Sequence, residues 1–65
     1  MENISEDVRK LAEYIIDSEE DDFYEWCDEN EIHTNSVFAR DNHIYGIACK
    51  VLGKTPKEVY SEKYE

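Results

Sequence analysis

With 65 residues and a net charge of −10, the chain has room for one domain and one modest core; at this size only roughly 60% of the unfolded surface is buried, too little to build a deep catalytic pocket. Forty per cent apolar residues, including Trp26, Phe23, Phe38 and five tyrosines, exceed what an acidic disordered tail carries. No apolar run comes near the ~18 residues that cross a bilayer, and "MENISEDVRK" is acidic without the apolar stretch of a signal peptide, so no membrane partner is expected.

The first helix is expected to begin at Asn3 or Ser5, either of which can cap, with Glu6 and Asp7 suited to the positive end of the dipole. Val8, Leu11, Ala12, Ile15 and Ile16 recur at amphipathic helical spacing. Ser18 with Asp21 three residues on reads as a capping box that opens a second helix near residue 19. Phe23, Trp26, Cys27 and Asn30 share one face of that helix, and Asp17, Asp21, Glu25 and Glu29 form a row at four-residue spacing on another. "IHTNS" (32–36) is a connection in which Asn35 or Ser36 caps a stretch beginning at Val37 and Phe38. Asp41 is a candidate cap for a further helix carrying the apolar stripe Ile44, Ile47, Ala48, Val51 and Leu52, which Gly53 ends. Thr55, Pro56 and Glu58 make a compact helix start, with Val59 and Tyr60 facing inward along a last helix that runs to about Tyr64. No strand-like alternation competes, so residues 1–65 are expected to form a single small all-α domain of four to five short helices.

The charge is concentrated. "DSEEDDFYEWCDENE" (17–31) holds nine carboxylates and no Lys or Arg, and no basic residue occurs between Lys10 and Arg40. As a helix this stretch spans about 22 Å, one charge per roughly 2.5 Å, comparable with the one per about 1.7 Å of duplex DNA. A surface that imitates a phosphate backbone is therefore physically possible. Like-charge neighbours at three- and four-residue spacing each destabilise a helix by about 0.2–0.5 kcal/mol, a cost that a binding role would explain. A plain solvated face that aids solubility is the alternative.

Metal and nucleophile chemistry find less support. Asp17, Glu19 and Asp21 imitate the start of an EF-hand loop, but Asp22 stands where that loop needs glycine, and Phe23 and Trp26 fall inside it. Cys27, His33, His43 and Cys49 lack the short intervals of structural zinc sites. The cysteines make no disulfide framework and read as small buried apolar residues. No Ser-His-Asp set or glycine-rich phosphate loop is present, so neither a catalytic residue, nor a metal, nor a cofactor is expected.

"CKVLGKTPKEV" (49–59) places Cys49, Gly53 and Val59 at the small, glycine and β-branched positions of a known pattern, with Ala48 and Leu52 at its apolar ones. It resembles the helix-turn-helix of DNA-binding regulators over about 20 residues; it departs at Lys54, where an apolar turn residue is usual, and at Glu62. The resemblance implies a second helix in the major groove, with Lys54, Thr55, Lys57 and Tyr60 or Lys63 toward DNA. The overall charge opposes this, because DNA readers carry a basic footprint.

The residues together point to a small acidic, cytoplasmic protein-interaction module. It would act as an inhibitor or modulator that offers a phosphate-like surface to a basic, nucleic-acid-binding protein, in the manner of small virus-encoded inhibitors, without contacting nucleic acid itself. Asp17, Glu19, Glu20, Asp21, Asp22, Glu25, Asp28 and Glu29 would meet Lys and Arg, with Tyr24 as an exposed aromatic anchor. A helix-turn-helix regulator using residues 43–64, and a structural or homodimerising protein, are the alternatives.

Overall fold

The computed structural model describes residues 5–65, which form four helices and no strand: α1 (Glu6–Glu29), α2 (Val37–Asn42), α3 (Ile44–Val51) and α4 (Pro56–Tyr64). Among these residues no helix is long and apolar enough to cross a membrane. Ser5 caps α1 by accepting the Val8 N–H at 3.1 Å; Asn3, the other candidate cap, lies outside the described residues.

The expected break at residues 18–19 does not occur, and α1 is one helix of 24 residues. Ser18 turns its hydroxyl back to donate to the Ile15 carbonyl at 3.4 Å instead of accepting a downstream N–H. The reason for continuity lies in packing. Ala12, Ile16, Phe23 and Cys27 are all buried, and their spacing keeps one apolar line running through the position of the expected break.

α3 runs antiparallel along that line. At one end the Phe23 ring stacks on Tyr45 with centroids 4.5 Å apart, and at the other Ile16 and Leu52 line the same cleft. Phe23, Tyr45 and Cys49 are fully buried, and each large ring removed from water contributes about 1.5–3 kcal/mol. Val8, Leu11, Ile44, Ile47 and Val51, expected on core-facing stripes, are instead exposed. α3 turns Tyr45, Ala48 and Cys49 inward, because Gly46 brings α2 against it and so sets its rotation. Asp41 does not cap α3; it sits within α2 and pairs with Lys50. The cap is His43, whose Nδ1 accepts the Tyr45 N–H at 3.1 Å, while Ser36 caps α2 by accepting from Ala39 N.

Thr55 and Glu58 form the expected capping box of α4. Asn35 adds a further tie by accepting the Lys57 N–H at 3.1 Å. Val59 and Pro56 are buried, whereas Tyr60, expected inward, is 45% exposed and lies edge-on to Tyr24.

Two helices end in the same way. The Lys54 N–H reaches Cys49 O at 2.9 Å and the Gly53 N–H reaches Lys50 O at 3.0 Å; at the end of α1, Ile32 N and Glu31 N reach Cys27 O and Asp28 O at 2.8 and 3.2 Å. Both are Schellman closures, which place one residue in the left-handed region. At α3 that residue is Gly53, at φ 72°, but at α1 it is Glu31, at φ 55°. A Cβ there costs about 1 kcal/mol. Glu31→Gly is expected to raise unfolding free energy by about 0.5–1 kcal/mol, read as a higher urea midpoint at unchanged slope; an unchanged or lower midpoint would contradict it.

Candidate functional site

The acidic stretch occupies the second half of α1, so its carboxylates stand on a single rigid rod, and their surroundings divide them into groups. Asp17 and Glu20 are tied to α4: Lys63 Nζ lies 3.2 Å from Asp17 and 3.0 Å from Glu20, and the Tyr64 hydroxyl donates to Glu20 at 3.0 Å. These contacts hold the Lys63 ammonium above its ordinary range, with the Glu20 bond the larger cause and the Asp17 bond the next. They also raise the Tyr64 phenol, again chiefly through Glu20.

Glu19 and Asp22 lie on the flank of α1 nearest His43, and one ligand-type atom from each of the three residues falls within 4.8 Å of the others. His43 is nearly buried, and its Nε2 is 2.9 Å from Asp22 Oδ2. Because Nδ1 accepts the Tyr45 N–H, the ring proton of neutral His43 must sit on Nε2 and point at Asp22. A metal on Nε2 would drive that proton to Nδ1, where it would meet the Tyr45 N–H. The chemistry of this set is therefore that of a helix cap fastened to the acidic helix, and its donors do not fit a metal site. Cys27 and Cys49 are buried free thiols, His33 is exposed on the half-buried connection, and the four Cys and His residues form no ligand group among the described residues.

Asp21, Glu25, Asp28 and Glu29 form the remaining group. All four are exposed, and among the described residues none makes an ion pair or a side-chain hydrogen bond. At about 100° per residue, Glu25 stands opposite the Phe23–Cys27 line that faces the core, with Asp21 and Asp28 to one side of it and Glu29 to the other. Asp28 and Glu29 also occupy the last turn of α1, which holds no basic residue. There the helix dipole is negative, and each acid in such a position costs about 0.3–1 kcal/mol.

Tyr24 is not an exposed anchor among these acids. It is half-buried on the side facing α4, edge-on to Phe23 at 5.2 Å and to Tyr60 at 6.2 Å. Burial raises its phenol. Burial likewise raises the phenol of Tyr45 and the Cys27 thiol, and lifts the Cys49 thiol to about 11. Trp26 is half-buried, between His43 at 5.1 Å and the stacked Phe38 ring at 6.3 Å.

These raised acids give the fold a one-sided pH dependence. The native state keeps protons that unfolded thiols release near pH 8.5 and unfolded tyrosines near about pH 10. Their contribution is therefore complete below about pH 8.5 and is lost as pH rises. Cys49 alone carries roughly 2–3 kcal/mol of this by its folded value, against the ~3–5 kcal/mol typical of so small a core. Ellipticity at 222 nm is expected to hold to about pH 9 and to collapse before about pH 11; a helix signal intact past that point would contradict it.

The stretch that resembles a helix-turn-helix folds as α3, a turn at 52–55 and α4. Two of its nominated lysines are engaged: Lys54 with Glu62 at 2.7 Å and Lys63 with Asp17 and Glu20. Thr55 is used as a cap, which leaves Lys57 exposed. Comparisons with protein-family models, with curated proteins and with solved structures gave no match.

Proposed function

We propose that this chain is a protein-interaction module whose acidic ridge, Asp21, Glu25, Asp28 and Glu29 with Asp17 and Glu19 at its margins, binds a basic surface on another protein. A nucleic-acid-binding surface is the natural target, since closely spaced carboxylates on a rigid rod compete for the Lys and Arg that would otherwise hold phosphates. The module has no catalytic role and works in a reducing, cytoplasmic compartment where Cys27 and Cys49 stay thiols.

One observation carries the reading. Among the described residues the four central carboxylates are unpaired, and they are mutually repulsive and, at Asp28 and Glu29, opposed to the helix dipole, although Lys63 neutralises acids on the same helix. Stability is given up at the ridge and recovered beside it. A fixed array of this kind also speeds encounter with a cationic partner and makes binding salt-sensitive.

The test is capture from host lysate on two columns, one carrying the protein and one carrying the variant with Asp21→Asn, Glu25→Gln, Asp28→Asn and Glu29→Gln, each eluted with a salt gradient. A basic protein held by the first column and lost from the second supports the proposal. The same protein on both places the surface elsewhere, and specific capture by neither leaves the acids as a solubilising face.

A further inference from the structure

One cation already sits on the acidic stretch of α1. Lys63 Nζ lies 3.2 Å from Asp17 Oδ1 and 3.0 Å from Glu20 Oε1, and the Tyr64 hydroxyl donates to the same Glu20 oxygen at 3.0 Å. Together they cover Glu20, whose side chain is 12% exposed, whereas that of Asp17, three residues earlier, is 71% exposed. No core fastens this end of α4. Pro56 and Val59, in its first four residues, are the buried ones, and beyond Val59 every residue is exposed except half-buried Ser61. The last turn is held to α1 by the Lys63 and Tyr64 contacts, with the Tyr60 ring edge-on to Tyr24 beside them. Glu62 pairs instead with Lys54, in the turn after α3, at 2.7 Å, so α4 can stay in place while the Lys63 side chain swings away.

The position of this contact ties it to the ridge. At about 100° per residue, Asp17 stands within about 40° of Asp21 and about 20° of Asp28, so it continues their line along α1. Glu20 stands about 60° from Asp17, toward α4. From Asp17 to Glu29 the row of acids measures about 18 Å, and its N-terminal end is the part that Lys63 occupies. Exposed ion pairs are weak and are screened by salt, so a second cation arriving at this end can take the place of the first.

We propose that Lys63 is an internal competitor of the basic partner: it fills the place at Asp17 and Glu20 that a lysine or arginine of the partner takes on binding, and Tyr64 releases Glu20 in the same step. A partner with a short basic run meets only Asp21, Glu25, Asp28 and Glu29. One with a longer run displaces Lys63 and gains two more carboxylates. This rests on the acidic-ridge reading and adds to it a threshold in the length of basic surface that binds tightly.

The test is titration of the isotopically labelled full chain with octalysine at low salt, for the unaltered protein and for the variants Lys63→Gln and Lys57→Gln. Lys57 is exposed and makes no ion pair among the described residues, so its variant removes the same charge without freeing an acid. Lys63→Gln is expected to keep its helix signal and to bind octalysine at least about threefold tighter than Lys57→Gln. Its peptide-induced shifts should include the amides of Asp17 and Glu20 as well as those of residues 21–29. In the unaltered chain, where no substitution bears on folding, the Tyr64 ring signals are expected to move as octalysine saturates. Equal affinity of the two variants overturns the competitor and leaves the ridge standing. So does a tighter Lys63→Gln whose shifts stay within residues 21–29, which would be a long-range effect of charge. Fixed Tyr64 ring signals at saturation overturn the competitor as well. Absence of octalysine binding to any form at low salt overturns competitor and ridge together.

Discussion

Gly46→Ala is expected to bring the domain to the edge of unfolding. A Cβ at this position would lie 2.6 Å from Arg40 Cα and closer still to the Ala39 carbonyl oxygen. Both are backbone atoms of α2, which cannot rotate away as a flexible side chain would. To admit the methyl group, α2 must lift from α3. That would uncover Ala39, which is fully buried, and displace His43, whose Nε2 bond to Asp22 joins this end of the pair to α1. Overpacking typically costs about 1–3 kcal/mol and occasionally more; with the backbone itself as the obstacle, about 3 kcal/mol is the expected loss. A core this small holds about 3–5 kcal/mol in all, so only about 0–2 kcal/mol would remain, and the thermal midpoint should fall by more than about 10 °C. A cooperative melt within a few degrees of the unaltered chain would contradict this, and with it the placement of α2.

The second large effect divides stability from binding. Changing Asp21, Glu25, Asp28 and Glu29 to amides removes repulsions worth about 0.2–0.5 kcal/mol each and two unfavourable dipole terms of about 0.3–1 kcal/mol each. The sum, about 1–3 kcal/mol, corresponds to a melting temperature higher by roughly 5–15 °C at this chain length. The same changes remove four charges from the proposed contact, each worth about 0.2–1 kcal/mol when exposed, so affinity for a basic partner should fall by a factor of about ten to a few hundred. A variant that melts higher and binds worse is the signature of residues kept for function. Lower stability would instead mean that the ridge acids have structural partners.

Much of the fold was legible because it rests on local chemistry. The caps at Ser5, Ser36 and Thr55, the glycine stop at Gly53 and the absence of strands follow from side chains within a few residues of where they act. The misplaced features depend on contacts distant in sequence. Ser18 and Asp21 satisfy the spacing of a helix start, but Phe23 stacking on Tyr45, 22 residues away, holds α1 straight through it. Ile44, Ile47 and Val51 make the stronger apolar pattern on α3, yet the glycine at 46 decides which face is buried, since only a residue without a side chain lets α2 approach so closely.

The candidate site was legible as composition and not as geometry. The run of acids was plain, but which of them are free depends on Lys63, more than 40 residues away, and on a histidine cap that occupies Asp22. Tyr24 could not be placed from α1 alone, because its partner surface includes Tyr60 of α4. The alternation of aromatic and acidic residues suggested an anchor set among charges; in the fold the same alternation separates an inward from an outward face.

The most direct test of the acidic ridge is the affinity of the captured basic partner for the protein and for the four-amide variant, measured at low and at physiological salt. The ridge predicts binding to the unaltered chain that weakens steeply with salt, and binding to the variant that is weaker by at least about tenfold at low salt and responds less to added salt. Equal affinities with equal salt dependence would show that Asp21, Glu25, Asp28 and Glu29 do not touch the partner, and would contradict the proposed function.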